Sequence, residues 1–370
     1  MPEGPELHKA ALLVNTMCKG RVFTGKIKKS AANYKNPEVE HNYKEYTIRA
    51  ESRGKEMAVI LSEYPLANGK KRAKKNCDLR ILFRFGMSGR FQFGPVDEMH
   101  KHAHLNFYTK TEKKDKGLVL SFVDVRRFGG WQVKDTWSED RGPDPMFEYQ
   151  AFRENVLNNL DSSVFNKPLC EVLHNQRYFN GIGNYLRAEI IFRSGIPPFT
   201  CARDVLESLQ VYPEEKKPCT PDLLELCHLV PREVVNLPGV GYEPSGSYSG
   251  YSRFQEWLQC YYNTDLNNLV DHDGRTMWFK GKPGPLAPKV KKSRNTKSPT
   301  KRKPEVKGVT VKVETVEEEE SKPKIPVKKA KRMPTKNGLS KVKPTSKFMR
   351  EVNEIVAERK ASLRPRHPRT

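Results

Sequence analysis

The supply of core-forming residues ends near position 288, and that boundary limits what this chain can become more than any single motif does. From Lys289 to Thr370 there is one aromatic residue, Phe348, among 26 Lys/Arg and nine Asp/Glu. So little apolar surface cannot offset the entropy of ordering, and residues 289–370 are expected to be a disordered basic tail. Residues 1–288 hold all four tryptophans and all seven cysteines. Within them the hydrophobic period alternates between helical and strand-like. Leu7, Ala10, Ala11, Val14 and Cys18 repeat at helical spacing with Gly20 as a stop, which predicts a first helix over 6–18. Short strand-like runs follow: 46–50, 57–61, 79–85, 90–93, 104–108, 118–125 and 131–133. After Asp135 the periodicity becomes helical, over 149–160, 168–176, 185–193, 202–209, 220–228 and 252–260. Residues 264–288 then read as a β-hairpin turning at Gly274, with Trp278 and Phe279 in the return strand. The fold class is therefore α+β and multidomain: a helix plus β-sandwich over 1–135, a helical domain over 136–263, the hairpin over 264–288 and the tail over 289–370.

The tail carries a net +17 of the chain's +23. Clusters such as Lys301-Arg302-Lys303 and Lys328-Lys329-Ala330-Lys331-Arg332 suit contact with a polyanion or nuclear import. No run of about 18 apolar residues exists and no signal peptide precedes the first helix, so a soluble, nuclear protein without membrane contact is expected. The seven cysteines are scattered with no C-x-x-C pair, which supports neither a disulfide framework nor a cysteine metal site. His100, His102 and His104 share one strand face, but no acidic or cysteine ligand at suitable spacing accompanies them, and they read as structural. The hydrophilic loop 69–75 reads as exposed, and 236–251, rich in Gly, Ser, Tyr and Pro, as mobile.

Chemistry begins at the N-terminus, Met1-Pro2-Glu3-Gly4-Pro5-Glu6-Leu7. If Met1 is removed, the chain starts with a secondary amine beside two carboxylates. Amines form Schiff bases only when unprotonated. A terminal amine titrates near about 8 against about 10.4 for lysine, so it supplies far more of the neutral form at neutral pH. The bland alternative is a helix start, since Pro in the first turn and Glu3 and Glu6 at the positive end both suit one. A second feature is Phe179-Asn-Gly-Ile-Gly-Asn-Tyr-Leu-Arg-Ala-Glu189, in which Gly181 and Gly183 precede a helix and let backbone N–H groups approach a phosphate. A helix break or tight packing would account for the same glycines.

Taken in order, Pro2-Glu3-Gly4-Pro5-Glu6, Arg53-Gly54-Lys55, Phe85-Gly86-Met87-Ser88-Gly89, Asp124-Val-Arg-Arg-Phe-Gly129, the Gly181–Asn184 turn and Asp273-Gly-Arg-Thr276 resemble the formamidopyrimidine-DNA glycosylase/endonuclease VIII family. The likeness spans residues 2 to about 288, and is strongest to its vertebrate endonuclease VIII-like branch with a zincless finger. The resemblance implies a helix-two-turn-helix element around Gly181 and Gly183 and a zincless-finger hairpin without the four cysteines of relatives. It implies a Pro2 amine that attacks the lesion's deoxyribose, with Glu3 protonating the sugar and moving protons. Glu6 helps hold the sugar and helix terminus, and Lys55 contacts phosphate and assists proton transfer. Asn184 and Arg275 grip the phosphates flanking the lesion. Met87, Arg126 and Phe128 fill the void left by an everted base; core packing is the competing reading for Met87 and Phe128. No cofactor and no metal is implied.

The loop around Val240 and Tyr242 corresponds to the part that covers the everted base. Close relatives tend to carry a basic residue at position 240, so Val240 puts the lesion range in doubt. In the tail, Phe348, Val352, Ile355, Val356 and Leu363 fall at helical spacing, and 346–363 is expected to fold on meeting a repair or replication protein. The expected function is a monomeric, bifunctional DNA glycosylase and apurinic/apyrimidinic lyase of base excision repair, acting on oxidised or ring-opened bases. The alternatives are a non-catalytic module binding damaged DNA and a lyase with little base excision.

Overall fold

The predicted first stripe winds into α1, Gly4–Cys18, with Leu7, Ala11, Val14 and Cys18 buried along one side. The computed structural model describes residues 2–64, 78–111, 117–211, 220–239 and 251–289. All of these fall in one compact unit, Met1–Arg294. The expectations for the loop 69–75, for Val240 and Tyr242, for Cys77 and Cys219, and for the tail with its helix over 346–363 lie outside the described residues.

Among the described residues nine strands follow α1: β1 (Phe23–Thr24), β2 (Lys28–Lys29), β3 (Glu45–Arg53), β4 (Glu56–Glu63), β5 (Leu79–Arg84), β6 (Gly89–Pro95), β7 (Ala103–Tyr108), β8 (Leu118–Asp124) and β9 (Gly130–Val133). They form two antiparallel sheets, ordered β1-β3-β4-β5-β9 and β2-β7-β8-β6. The inner faces meet through aromatic rings: Phe83 on β5 lies with its centroid 5.0 Å from Phe91 on β6 and 5.1 Å from Phe122 on β8. Each such ring buried is worth about 1.5–3 kcal/mol. The strands β1 and β2, absent from the predicted set, have two residues each and therefore no period to read; pairing with β3 and β7 creates them. Helix α1 is bolted to β3 by Asn15, whose amide donates to Ala50 O at 2.8 Å and accepts from Ala50 N–H at 2.7 Å.

The second half contains α2 (Tyr149–Leu157), α3 (Leu169–Val172), α4 (Asn184–Ser194), α5 (Ala202–Leu206), α6 (Leu223–Asn236) and α7 (Tyr251–Trp257). The helix predicted over 168–176 is thus one turn long. The one predicted over 220–228 begins later, where Asp222 accepts from Glu225 N–H and Glu225 from Asp222 N–H. It also continues through Pro231, whose missing donor is tolerated because Val230, Pro231 and Val234 are buried together. A hairpin of β10 (Asn267–Val270) and β11 (Thr276–Phe279) closes the described chain, with Leu269 opposite Met277. Met277 and Phe279 belong to the core that α2–α7 surround. Trp278, half-buried, packs against that core between the rings of Tyr261 and Tyr262. A separate core gathers α1 and the two sheets.

Candidate active site

The two cores meet at Glu3. This residue is 1% exposed, and its carboxylate lies on the first turn of α4. Gly183 N–H donates to Oε2 at 2.6 Å, Tyr185 N–H to Oε1 at 3.0 Å and Leu186 N–H to Oε2 at 3.3 Å. A Cβ on Gly183 would stand 2.3 Å from Glu3 Cδ, so only glycine admits the carboxylate. Beside this contact Gly4 N–H donates to Gly181 O at 2.9 Å, and Gly181 N–H is taken by Gln176 Oε1. The phosphate role expected of Gly181 and Gly183 is therefore corrected. The anion held at the α4 N-terminus is Glu3, a tethered carboxylate that satisfies the unpaired N–H groups and the positive dipole end from within the chain. Burial raises the Glu3 pKa above the ordinary carboxylate range although Lys55 and the N–H donors act the other way.

Half-buried Pro2 precedes this carboxylate, and Glu6 supports it. Glu6 Oε2 accepts from Glu3 N–H at 2.8 Å, and the Tyr185 hydroxyl donates to Glu6 at 3.0 Å. Burial, with Glu6 and Glu3 nearby, pushes the Tyr185 phenol well up, which keeps it a donor. In sequence Tyr185 reads as core, as an aromatic residue in a helix's first turn does, and its one signal is its place directly after Asn184.

Lys55 stands on the turn between β3 and β4. Gly54 adopts φ +54°, and a Cβ there would meet Asn180 Oδ1 at 2.0 Å. Gly54 N–H donates to Asp144 Oδ2 at 2.8 Å, and Lys55 N–H to Asn180 Oδ1 at 3.3 Å. Burial pushes Asp144 up to about 6. The Lys55 ammonium reaches Ile182 O at 2.6 Å, one residue before Gly183. Burial pushes it down to about 8; Arg141 and Arg275 add to that shift, and Glu3 and Glu6 oppose it.

Asn184 opens α4 and reaches the hairpin, donating from Nδ2 to Thr276 O at 3.3 Å, while its Oδ1 is buried without a partner. Arg275 sits on the hairpin tip with its guanidinium exposed and only a long, 3.5 Å contact to Asp273. The predicted phosphate pair is thus brought to adjacent elements. Met87, 37% exposed, tips the β5–β6 turn, and Phe128, 63% exposed, lies in the β8–β9 turn, which excludes core packing for both. The Arg126 guanidinium lies over the Phe128 ring, 5.1 Å from its centroid. Asp124 ties the two turns together: it accepts from the Ser88 hydroxyl, from Arg126 N–H at 3.2 Å and from Gly129 N–H at 2.7 Å. The rings of His100, His102 and His104 lie next to one another in sequence order, and His104, on β7, bonds Asp124 O through Nε2 at 2.9 Å. Among the described residues no three His, Cys, Asp or Glu converge as metal ligands.

A buried acid of raised pKa, a lysine of lowered pKa, a proline that becomes the terminal amine if Met1 is removed, and the exposed side chains of Met87 and Phe128 suit acid-assisted attack on a sugar carbon. Two protein families match the chain: the formamidopyrimidine-DNA glycosylase N-terminal domain over residues 1–131, and the endonuclease VIII-like 1 DNA-binding domain over residues 250–288. Endonuclease 8-like 1 of Homo sapiens is 50% identical over 308 residues, covering 80% of this chain and 77% of that protein. The Mus musculus protein of the same name gives the same figures. A formamidopyrimidine-DNA glycosylase of Acidiphilium cryptum is 33% identical over 133 residues, 34% of this chain and 44% of that protein. Among solved structures, the MutM (Fpg) protein of Thermus thermophilus superposes with a TM-score of 0.54 at 22% identity, covering 76% of this chain and 100% of that one. Wild-type Fpg of Lactococcus lactis bound to DNA containing an oxidised pyrimidine gives 0.54 at 19% identity, over 75% and 98% of the two chains. These structures speak for the fold, and the sequence identity to the human protein over four fifths of the length speaks for descent. The chain belongs to the formamidopyrimidine-DNA glycosylase/endonuclease VIII family.

Proposed function

We propose that this chain is a bifunctional DNA glycosylase and apurinic/apyrimidinic lyase of base excision repair that removes oxidised or ring-opened bases. The observation that carries the reading is the seating of Glu3, a buried carboxylate of raised pKa held beside Pro2. Damaged DNA docks with the lesion turned out of the stack, and Met87, Arg126 and Phe128 occupy the gap. Asn184 and Arg275 take the flanking phosphates, a guanidinium suiting that task. With Met1 removed, the neutral Pro2 amine attacks the sugar's anomeric carbon. Glu3 protonates the ring oxygen as the ring opens, the base leaves with the proton that the amine gives up, and an iminium ion links Pro2 to the opened sugar. The iminium acidifies the neighbouring C–H, so elimination breaks first the 3′ and then the 5′ C–O bond. Residues 1–135 supply this chemistry, residues 136–263 and 264–288 the grip on DNA, and Val240 and Tyr242 belong to the loop that covers the lesion. The protein acts as a monomer in the nucleus, and its basic tail meets repair and replication proteins.

Sodium borohydride trapping on a duplex with one thymine glycol tests the reading. A covalent protein–DNA adduct is expected; tight binding with no adduct, there or on an abasic site, would leave only a DNA-binding module.

Lys55 gives a separate, pH-dependent result. A lysine at about 8 loses its charge as pH rises through that value, and kcat/KM reports the free enzyme's ionisations. Cleavage of an abasic duplex is expected to lose kcat/KM above about pH 8, and Lys55→Arg to abolish that alkaline limb because a guanidinium stays charged to above about pH 12. An unmoved limb in Lys55→Arg would assign the titration to another group.

A further inference from the structure

The hairpin carrying Arg275 is fastened to α4 by a buried ion pair that the chemistry above does not use. Arg187, on α4, and Asp271, at the end of β10, are both 0% exposed at their side chains and meet at 2.7 Å. Arg187 Nη1 also donates to Cys170 O at 2.9 Å, and Nη2 to Thr276 O at 3.3 Å, the same carbonyl that takes Asn184 Nδ2. On the other side, Asp271 Oδ1 accepts from Arg275 N–H at 2.7 Å and from Asp273 N–H at 3.1 Å. The backbone of Asp271 pairs with Arg275 O and with Gly274 N–H. One carboxylate therefore organises the whole tip, and one guanidinium fastens it to the helix that begins with Asn184. A further tie runs from Glu171 to His272 N–H at 3.0 Å.

As a source of stability this pair is a poor choice. Taking both charges out of water is costly, an apolar pair of similar size often serves as well, and Arg187 Nε is buried without an acceptor. What the pair supplies is geometry. We propose that Arg187 and Asp271 are positioning residues that fix Arg275 relative to Asn184, so that the two grip the phosphates on either side of a lesion as one rigid unit; this rests on the glycosylase reading. Neither residue touches DNA. Their effect passes through Arg275.

A double-mutant cycle separates positioning from general support. Binding is measured on a duplex carrying a tetrahydrofuran abasic analogue, which cannot form the imine, so the outcome does not depend on the Pro2 chemistry. In the unmodified protein Arg275→Ala is expected to weaken binding about tenfold and to lower the salt slope by about 0.9, the share of one phosphate. In Arg187→Met/Asp271→Leu, with melting temperature retained, binding is expected to be weakened already and the slope already lowered. Adding Arg275→Ala there should change affinity less than about twofold. A full tenfold cost of Arg275→Ala in that background overturns the proposal. If Arg275→Ala costs nothing in the unmodified protein, the proposal and the phosphate role of Arg275 fall together, while borohydride trapping still judges the glycosylase reading. If the apolar pair does not fold, Asp271→Asn completes the cycle: it keeps the shape but loses the charge that holds Arg187. The cost of Arg275→Ala should then fall below about threefold, and a cost still near tenfold overturns the proposal.

Discussion

Protein that retains even one residue ahead of Pro2 is expected to give no borohydride adduct and no strand cleavage, while holding a tetrahydrofuran duplex within about threefold of the processed form. An acylated proline nitrogen has its lone pair delocalised into the amide, so it is neither a nucleophile nor able to become an imine. Among the described residues, Lys55 is the one other amine in the site with a lowered pKa; at about 8 it is neutral in about a tenth of molecules at pH 7. Its ammonium, however, is committed to Ile182 O. Any adduct formed by the extended protein should therefore be weak and vanish with Lys55→Arg. Pro2→Gly differs in kind, because a primary terminal amine remains, and its adduct should be weaker but present. Robust trapping by the extended protein that survives Lys55→Arg would move the nucleophile elsewhere.

Glu3→Gln is expected to slow base release about 10²–10⁴-fold, the usual worth of a positioned general acid, with a loss of about 1–2 kcal/mol in stability, in the range of a helix cap. Both effects come from one substitution because the carboxylate has two tasks. It accepts three N–H groups of α4, and an amide keeps only one accepting oxygen, so its NH₂ must face a donor. Single-turnover base release and a thermal melt measure the two separately. Cleavage of a preformed abasic site should suffer less, since no base remains to be expelled. Base release within about tenfold of the native rate would remove Glu3 from the acid's role.

Much of the scaffold could be read from local patterns, because α1 and the longer strands carry their period within a few residues. The ends of α6 could not: Pro231 reads as a stop, and only its burial beside Val230 and Val234 lets the helix pass. At the site, Pro2 and Glu3 are legible as residue types that Schiff-base chemistry needs, whereas Lys55, Asn184 and Arg275 are legible only through the family's motifs. Their partners are not legible. That Gly183 serves Glu3 rather than a phosphate depends on a contact between residues 180 positions apart, and Arg187 finds Asp271 across 84. No local spacing encodes such pairs. Gly86, Gly89 and Gly129 mark the turns that expose Met87 and Phe128, but the role of Asp124 in tying those turns together has no mark in sequence.

The placement of Glu3 makes competence and assembly the same event. Its own segment belongs to the sandwich side, its hydrogen-bond donors belong to α4, and Lys55 crosses the same boundary to Ile182. A molecule whose halves have parted, still tethered by the chain, keeps its amine but loses the acid's seat, the α4 cap and the lysine's anchor at one stroke. Local opening of this kind precedes global unfolding in many proteins. On the glycosylase reading, a half-open molecule has lost the acid that expels a base, and the carboxylate that reports assembly is the one that caps α4.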